Sequence, residues 1–181
     1  MSGNVSNPQK KKLASRIFLV GFMGSGKSYW GKIWAEETGY TFTDLDEIIE
    51  KAEQSSIDTI FEKKGEVYFR QTEAILLRSM QKENTIIACG GGTPCYYDNM
   101  QWINKNGCSI WLQATTNDIL KNIQRGGASR PLLKGLDEKQ LQSYITNSLK
   151  EREQYYSMAA ISLPVSTLNR DVIRSLFLHN N

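Results

Sequence analysis

The chain has 181 residues, 40% hydrophobic and 23% charged, with 14 Gly and 4 Pro, which excludes disordered, collagenous and low-complexity classes. Its formal charge of +3 comes from 22 Lys and Arg against 19 Asp and Glu, but Lys10, Lys11, Lys12 and Arg16 crowd the first sixteen residues with no acid, so the remainder is close to neutral. The single histidine, His179, sits beside the C-terminus and leaves no His-based triad, proton shuttle or zinc site; chemistry falls to carboxylates, Arg, Lys and backbone amides.

Residues 1–14 read as a mobile polar leader. They lack the apolar stretch of a secretion signal, so a cytoplasmic chain is expected. No apolar run approaches the about 20 residues that cross a bilayer, and the basic excess is a tail, so neither a membrane nor a nucleic acid is an expected partner. Cys89, Cys95 and Cys108 are odd in number and lack a C-x-x-C spacing, which predicts reduced, mostly buried thiols.

In chain order, Arg16–Val20 predicts a buried strand that runs into a glycine loop, and Lys27–Thr38 a helix stopped by Gly39. Tyr40–Thr43 reads as the second strand, residues 44–52 as a short helix, and Ser56–Lys64 as another, capped by Ser56 and stopped by Gly65. A longer helix follows from about Glu66 to Gln81. Thr85–Cys89 is the third strand candidate, ending in Gly90-Gly91-Gly92. A short helix near Tyr96–Asn104 leads through a turn at Asn104–Gly107 to a strand at Cys108–Leu112, and Thr116 is the expected cap of the next helix. The segment from Gly126 to Gly135 has no periodicity. Asp137 with Gln140 resembles a capping box that opens a helix to about Ser157; a strand at Ala160–Leu163 and a closing helix with Val172, Ile173, Leu176 and Phe177 on one face complete the chain. Five strands alternating with helices predict a three-layer α/β domain over residues 15–181, a parallel sheet covered on both faces, with ligands beyond the strands' carboxyl ends.

Gly21-Phe22-Met23-Gly24-Ser25-Gly26-Lys27-Ser28 fits G-x-x-x-x-G-K-[ST] between a strand and a helix, the context that the motif requires. Its amides and the helix N-terminus cradle phosphate, Lys27 reaches the β- and γ-phosphates, and the Ser28 oxygen suits Mg²⁺. A nucleoside triphosphate ligand follows. A guanine-reading Asn-Lys-x-Asp is absent, since Asn104-Lys105-Asn106-Gly107 lacks the acid, and the chain is too short for a motor. A small-molecule kinase is the leading class. Asp44 and Asp46, two apart after the second strand, are expected to project the same way from an extended segment, one toward metal and one toward the acceptor. Arg70 has Glu73 at i+3 to orient it, Arg152 lies near the end of a long helix, and the three glycines offer main chain to a ligand.

The order phosphate loop, Asp-x-Asp, Phe-Arg-x-x-Glu, Gly-Gly-Gly, Arg-Pro-Leu-Leu and Arg with Tyr four residues on resembles the shikimate kinase family over roughly residues 15–178. That resemblance implies a P-loop fold like that of nucleoside monophosphate kinases, with strand order 2-3-1-4-5, and phosphorylation of the shikimate 3-hydroxyl by ATP with Mg²⁺ on the route to chorismate. It implies that Gly24, Ser25, Gly26, Lys27, Ser28 and Tyr29 bind the nucleotide, with Arg125 on the adenine. Ser28 and Asp44 would hold the metal shell. Asp46 would bind shikimate and act as base beside the catalytic Lys27 and Arg130, while Arg70, Gly91, Gly92 and Arg152 would bind shikimate. Residues 124–135 would form a mobile lid that carries Arg130 to the phosphates, on a chain expected to be monomeric. Tyr29, Cys89 and Glu153-Gln154 depart from the family's usual residues without removing a charge from the chemistry. A gluconate or other small hydroxy-acid kinase of the same fold, and a non-catalytic nucleotide switch, remain open alternatives.

Overall fold

Arg16–Val20 (β1), Thr41–Asp44 (β2), Thr85–Ala88 (β3), Cys108–Gln113 (β4) and Ile161–Pro164 (β5) form one parallel sheet in the order β2-β3-β1-β4-β5. In this computed structural model residues 14–126 and 135–178 are described. Most of the expected leader, residues 127–134 of the expected lid with Arg130, and residues 179–181 lie outside them. Among the described residues no helix is long and apolar enough to cross a membrane.

The central strand has no polar face because both of its faces are covered. Phe18 and Val20 pack with Leu45, Ile49, Ile60, Phe69, Leu77 and Ile87 on one side. Ile17 and Leu19 pack with Trp34, Ile86, Ile110, Leu112 and Ile173 on the other. The first layer comes from helices Leu45–Glu53 (α2), Ile57–Ser79 (α3) and Asn99–Asn106 (α4); the second comes from Lys27–Thr38 (α1) and Val172–Leu178 (α7). Thr116–Gly126 (α5) and Glu138–Tyr156 (α6) close a third cluster around Phe22, Ile119, Ile145 and Tyr156. Every crossover is thus long enough for the parallel pairing that it serves.

Local signals explain the ends of these elements. Asp137 and Gln140 form the capping box expected for α6, and α3 breaks at Gly65, whose φ of 77° and ψ of 171° are not helical. Several boundaries differ from expectation by a residue or two, and four of the differences have a visible local cause. Thr115, not Thr116, caps α5: its hydroxyl accepts from the Asp118 amide, while the Asp118 carboxylate accepts from the Thr115 amide. The expected turn at Asn104–Gly107 is helical to Asn106, because Asn106 bonds back to the Trp102 carbonyl. Helix α4 starts only at Asn99, since Tyr97 and Asp98 are left-handed. Tyr40 lies outside β2, its amide still bonded to the Ala35 carbonyl at the end of α1.

Candidate active site

The loop after β1 turns on Gly21, Gly24 and Gly26, with φ of 136°, 76° and 90°, a conformation open to glycine and strained for other residues. A cavity of about 1020 Å³ begins there; Gly24, Ser25, Gly26, Lys27, Ser28 and Tyr29 all line it. The Lys27 ammonium is buried and donates to the carbonyls of Gly21 and Phe22 at 2.8 and 2.9 Å. The Ser25 hydroxyl, 2% exposed, has no hydrogen-bond partner among the described residues. A buried polar oxygen in this state calls for a ligand, and its place on a phosphate loop suits one made of phosphate. Arg125, with Asp118, Lys121 and Asn122, lines the same cavity, and Asn122 ties α5 to the loop by donating to the Gly24 carbonyl at 2.7 Å.

Asp44 and Asp46 face this cavity, but not from an extended segment. Asp44 ends β2 and caps α2, accepting from the Asp46 amide at 3.1 Å, so Asp46 already sits in the first helical turn. The helix N-terminus, not strand pleat, brings the two carboxylates together. Ser28 donates to Asp44 Oδ2 at 2.5 Å, which joins the phosphate loop to the first acid. Burial, with Asp44 and Glu73 nearby, pushes the Asp46 carboxyl up to about 7.

Of the two arginines, Arg70 is buried and Arg152 half-buried. Arg70 is 5% exposed; its Nη1 meets Glu73 at 2.9 Å and its Nε meets Glu66 at 3.2 Å, while Nη2 makes no hydrogen bond among the described residues. Arg152 lies over the Phe22 ring at 5.2 Å and its Nη1 reaches the Gly91 carbonyl at 3.4 Å. Both line the cavity with Gly90, Gly91 and Gly92. The glycines are needed for packing as much as for a ligand. A Cβ on Gly90 would lie 2.8 Å from Glu73 and 3.0 Å from Asp46, one on Gly91 2.9 Å from the Met23 amide nitrogen, and one on Gly92 2.6 Å from Arg70 Nη2.

Every expected site residue among the described ones therefore borders one cavity; Arg130 lies outside the described residues. Two further contributors follow from patterns already visible in the sequence, and a third does not. Glu73 is fully buried and is held by Thr93 at 2.5 Å as well as by Arg70; its i+3 spacing from Arg70 was the available signal. Tyr156, four residues after Arg152, donates to the Gly91 carbonyl at 2.5 Å. Trp30 had no signal: it lines the cavity because it folds beneath Gly26. Among the thiols only Cys89 is buried; Cys95 and Cys108 are partly exposed, and none of the three forms a disulfide.

The chain is similar to known proteins along most of its length. The family model described as shikimate kinase matches residues 23–177. A shikimate kinase of Parabacteroides distasonis is 36% identical over 148 residues, 81% of this chain and 86% of its own. The crystal structure of shikimate kinase from Bacteroides thetaiotaomicron superposes with a TM-score of 0.83 at 32% identity, covering 90% of this chain and 93% of that one. The enzyme from Acinetobacter baumannii in complex with shikimate superposes at 0.80 with 30% identity, covering 92% of each.

Proposed function

The chain belongs to the shikimate kinase family, and we infer that it transfers the γ-phosphoryl group of ATP to the 3-hydroxyl of shikimate, giving shikimate 3-phosphate and ADP. The observation that carries this reading is that one cavity is bordered by the phosphate loop, by Asp46 and by Arg70 and Arg152 together. Phosphoryl transfer asks mainly for alignment and charge neutralisation. The loop amides, the Ser25 hydroxyl and Lys27 meet the phosphate oxygens. Asp46 accepts the proton of the attacking hydroxyl; burial, then Asp44 and Glu73, push its carboxyl up to about 7, toward the range that suits a general base. Arg70 Nη2 and the Arg152 guanidinium bind the acceptor's carboxylate by charge-assisted hydrogen bonds, a preference that a neutral sugar does not satisfy.

The hydroxyl of Ser28 and the carboxylate of Asp44 form a hard oxygen pair, the donor set that suits Mg²⁺, which takes one or two protein oxygens and completes its shell with phosphates and water. Held by Ser28 and Asp44, Mg²⁺ would supply positive charge to the nucleotide's phosphates. The test is ADP release measured over a panel of hydroxy acids with ATP and Mg²⁺. Release that depends on shikimate and not on gluconate is expected; turnover of gluconate with none of shikimate overturns the reading.

A further inference from the structure

Arg70 is held on more sides than its two carboxylates account for. The ring of Tyr96 lies 4.6 Å from the Arg70 guanidinium carbon. The Tyr96 hydroxyl donates at 3.3 Å to Glu66 Oε1, the same oxygen that accepts Arg70 Nε at 3.2 Å. Glu73 takes Nη1, and Gly92 leaves Nη2 no room for a side chain beside it. Carboxylates thus hold two edges of the guanidinium, and the rings of Tyr96 and, at 5.0 Å, of Phe69 lie against it.

The backbone that delivers Tyr96 is itself unusual. Tyr97 and Asp98 are consecutive left-handed residues with φ of 50° and 53°, a conformation that costs energy outside glycine and persists where its surroundings enforce it. Here Arg78, two helical turns after Arg70 on α3, donates Nη2 to the Tyr97 carbonyl at 2.6 Å and Nη1 to Asn99 Oδ1 at 2.7 Å. The fully buried Asn99 donates in turn to the Thr93 carbonyl at 2.9 Å. One helix thus carries the arginine that faces the cavity and the arginine that clamps the strained turn.

We propose that Tyr96 is a positioning residue that orients Arg70 toward the acceptor's carboxylate, held in place by the turn that Arg78 clamps. A long guanidinium side chain loses rotamer entropy when it binds, and a fixed face removes part of that cost before the acceptor arrives. Tyr96 does not border the cavity, so its effect reaches the acceptor through Arg70. The proposal rests on the assignment of Arg70 to acceptor binding, and the test separates the two.

Steady-state kinetics are measured for Tyr96→Leu, Tyr96→Phe, Arg70→Lys and the double variant Arg70→Lys with Tyr96→Leu. Tyr96→Leu is expected to raise the shikimate KM about fivefold, the upper end for a cation–ring contact with a part-exposed ring, with kcat and the ATP KM nearly unchanged. Tyr96→Phe keeps the ring and should stay within about threefold of the parent, since it loses only a long hydrogen bond. The double variant should be no weaker than Arg70→Lys alone. If Tyr96→Leu does not fold, Tyr96→Met, which keeps apolar volume without the ring, carries the same expectation. An unchanged shikimate KM in Arg70→Lys sinks the acceptor assignment. A raised KM in Arg70→Lys with none in Tyr96→Leu, or equal losses in both substrates' KM, overturns the positioning role.

Discussion

The Tyr156 hydroxyl, buried at the end of α6, donates to the carbonyl of Gly91 at 2.5 Å. That carbonyl also receives Arg152, and the α-carbon of Gly91 lies so near the phosphate loop that a side chain would strike the Met23 amide. A single peptide therefore joins the acceptor-side helix to the nucleotide-side loop. Tyr156→Phe should lower stability by about 1–3 kcal/mol, because a buried carbonyl loses its better partner. Urea denaturation measures this, and an unchanged midpoint would show the bond to be dispensable.

The two neighbouring glycines should fail differently. In Gly92→Ala the new methyl meets the movable end of Arg70, so the shikimate KM should rise while the ATP KM holds. In Gly91→Ala it meets loop backbone, which cannot step aside cheaply, so both KM values should rise. The opposite pattern would contradict the assigned packing.

Arg152→Ala removes a charge from the acceptor side together with the contact on Phe22. A bound carboxylate without its partner keeps its desolvation cost, so shikimate binding should weaken by about 2–5 kcal/mol. Titration calorimetry with shikimate decides, and unchanged affinity would remove Arg152 from the acceptor site.

Asp46 should give the pH profile its rising limb. Its carboxyl is raised from 3.8 to about 7, chiefly by burial and then by Asp44 and Glu73, so kcat/KM should climb as pH passes 7 and the base ionises. Stability runs the other way. Between about pH 4 and 7 the folded chain holds a proton that the unfolded chain has released, so the stability this group contributes is full below pH 4 and is lost as pH rises through 7. Asp46→Asn should therefore cut turnover by roughly a hundredfold or more while flattening the fall of Tm between pH 5 and 8. A variant as pH-sensitive in Tm as the parent would contradict the shift.

The partly exposed Cys95 should be a poor nucleophile despite its nearness to the arginines. Burial pushes its thiol up to about 11, so at neutral pH its thiolate fraction is about a hundredfold below that of an ordinary cysteine. Burial raises Cys89 further. Alkylation at pH 7.5 followed by mass spectrometry should leave both intact when free cysteine is consumed; rapid labelling of Cys95 would be the contrary result.

Much of this was legible because the signals are local. A run of four apolar residues in β1, a glycine loop before Lys27 and the pair Asp137 and Gln140 each declare one element within a few residues. The order of motifs along the chain pointed to the right family. What escaped depends on contacts distant in sequence. Whether Arg70 is a surface or a buried residue depends on Gly92 and Tyr96, and the value of Tyr156 on Gly91, 65 residues earlier. Asp44 and Asp46 both border the cavity, but a spacing of two suggests strand pleat, whereas Asp44 caps a helix that begins at Leu45 and holds Asp46 in its first turn. Tyr97 and Asp98 gave no sign of a left-handed turn, since Arg78 imposes it from another helix.

The central claim is the transfer itself: γ-phosphoryl to the shikimate 3-hydroxyl, with Asp46 taking the proton. Phosphorus and proton NMR of the products from ATP, Mg²⁺ and shikimate test it most directly, run in parallel with the parent chain and Asp46→Asn. The expected spectrum shows ADP and a phosphate ester on the 3-position in equal amounts for the parent, and almost none of either for the variant over the same interval. A phosphate on a different hydroxyl, ADP without an ester, or equal product from Asp46→Asn would contradict the account.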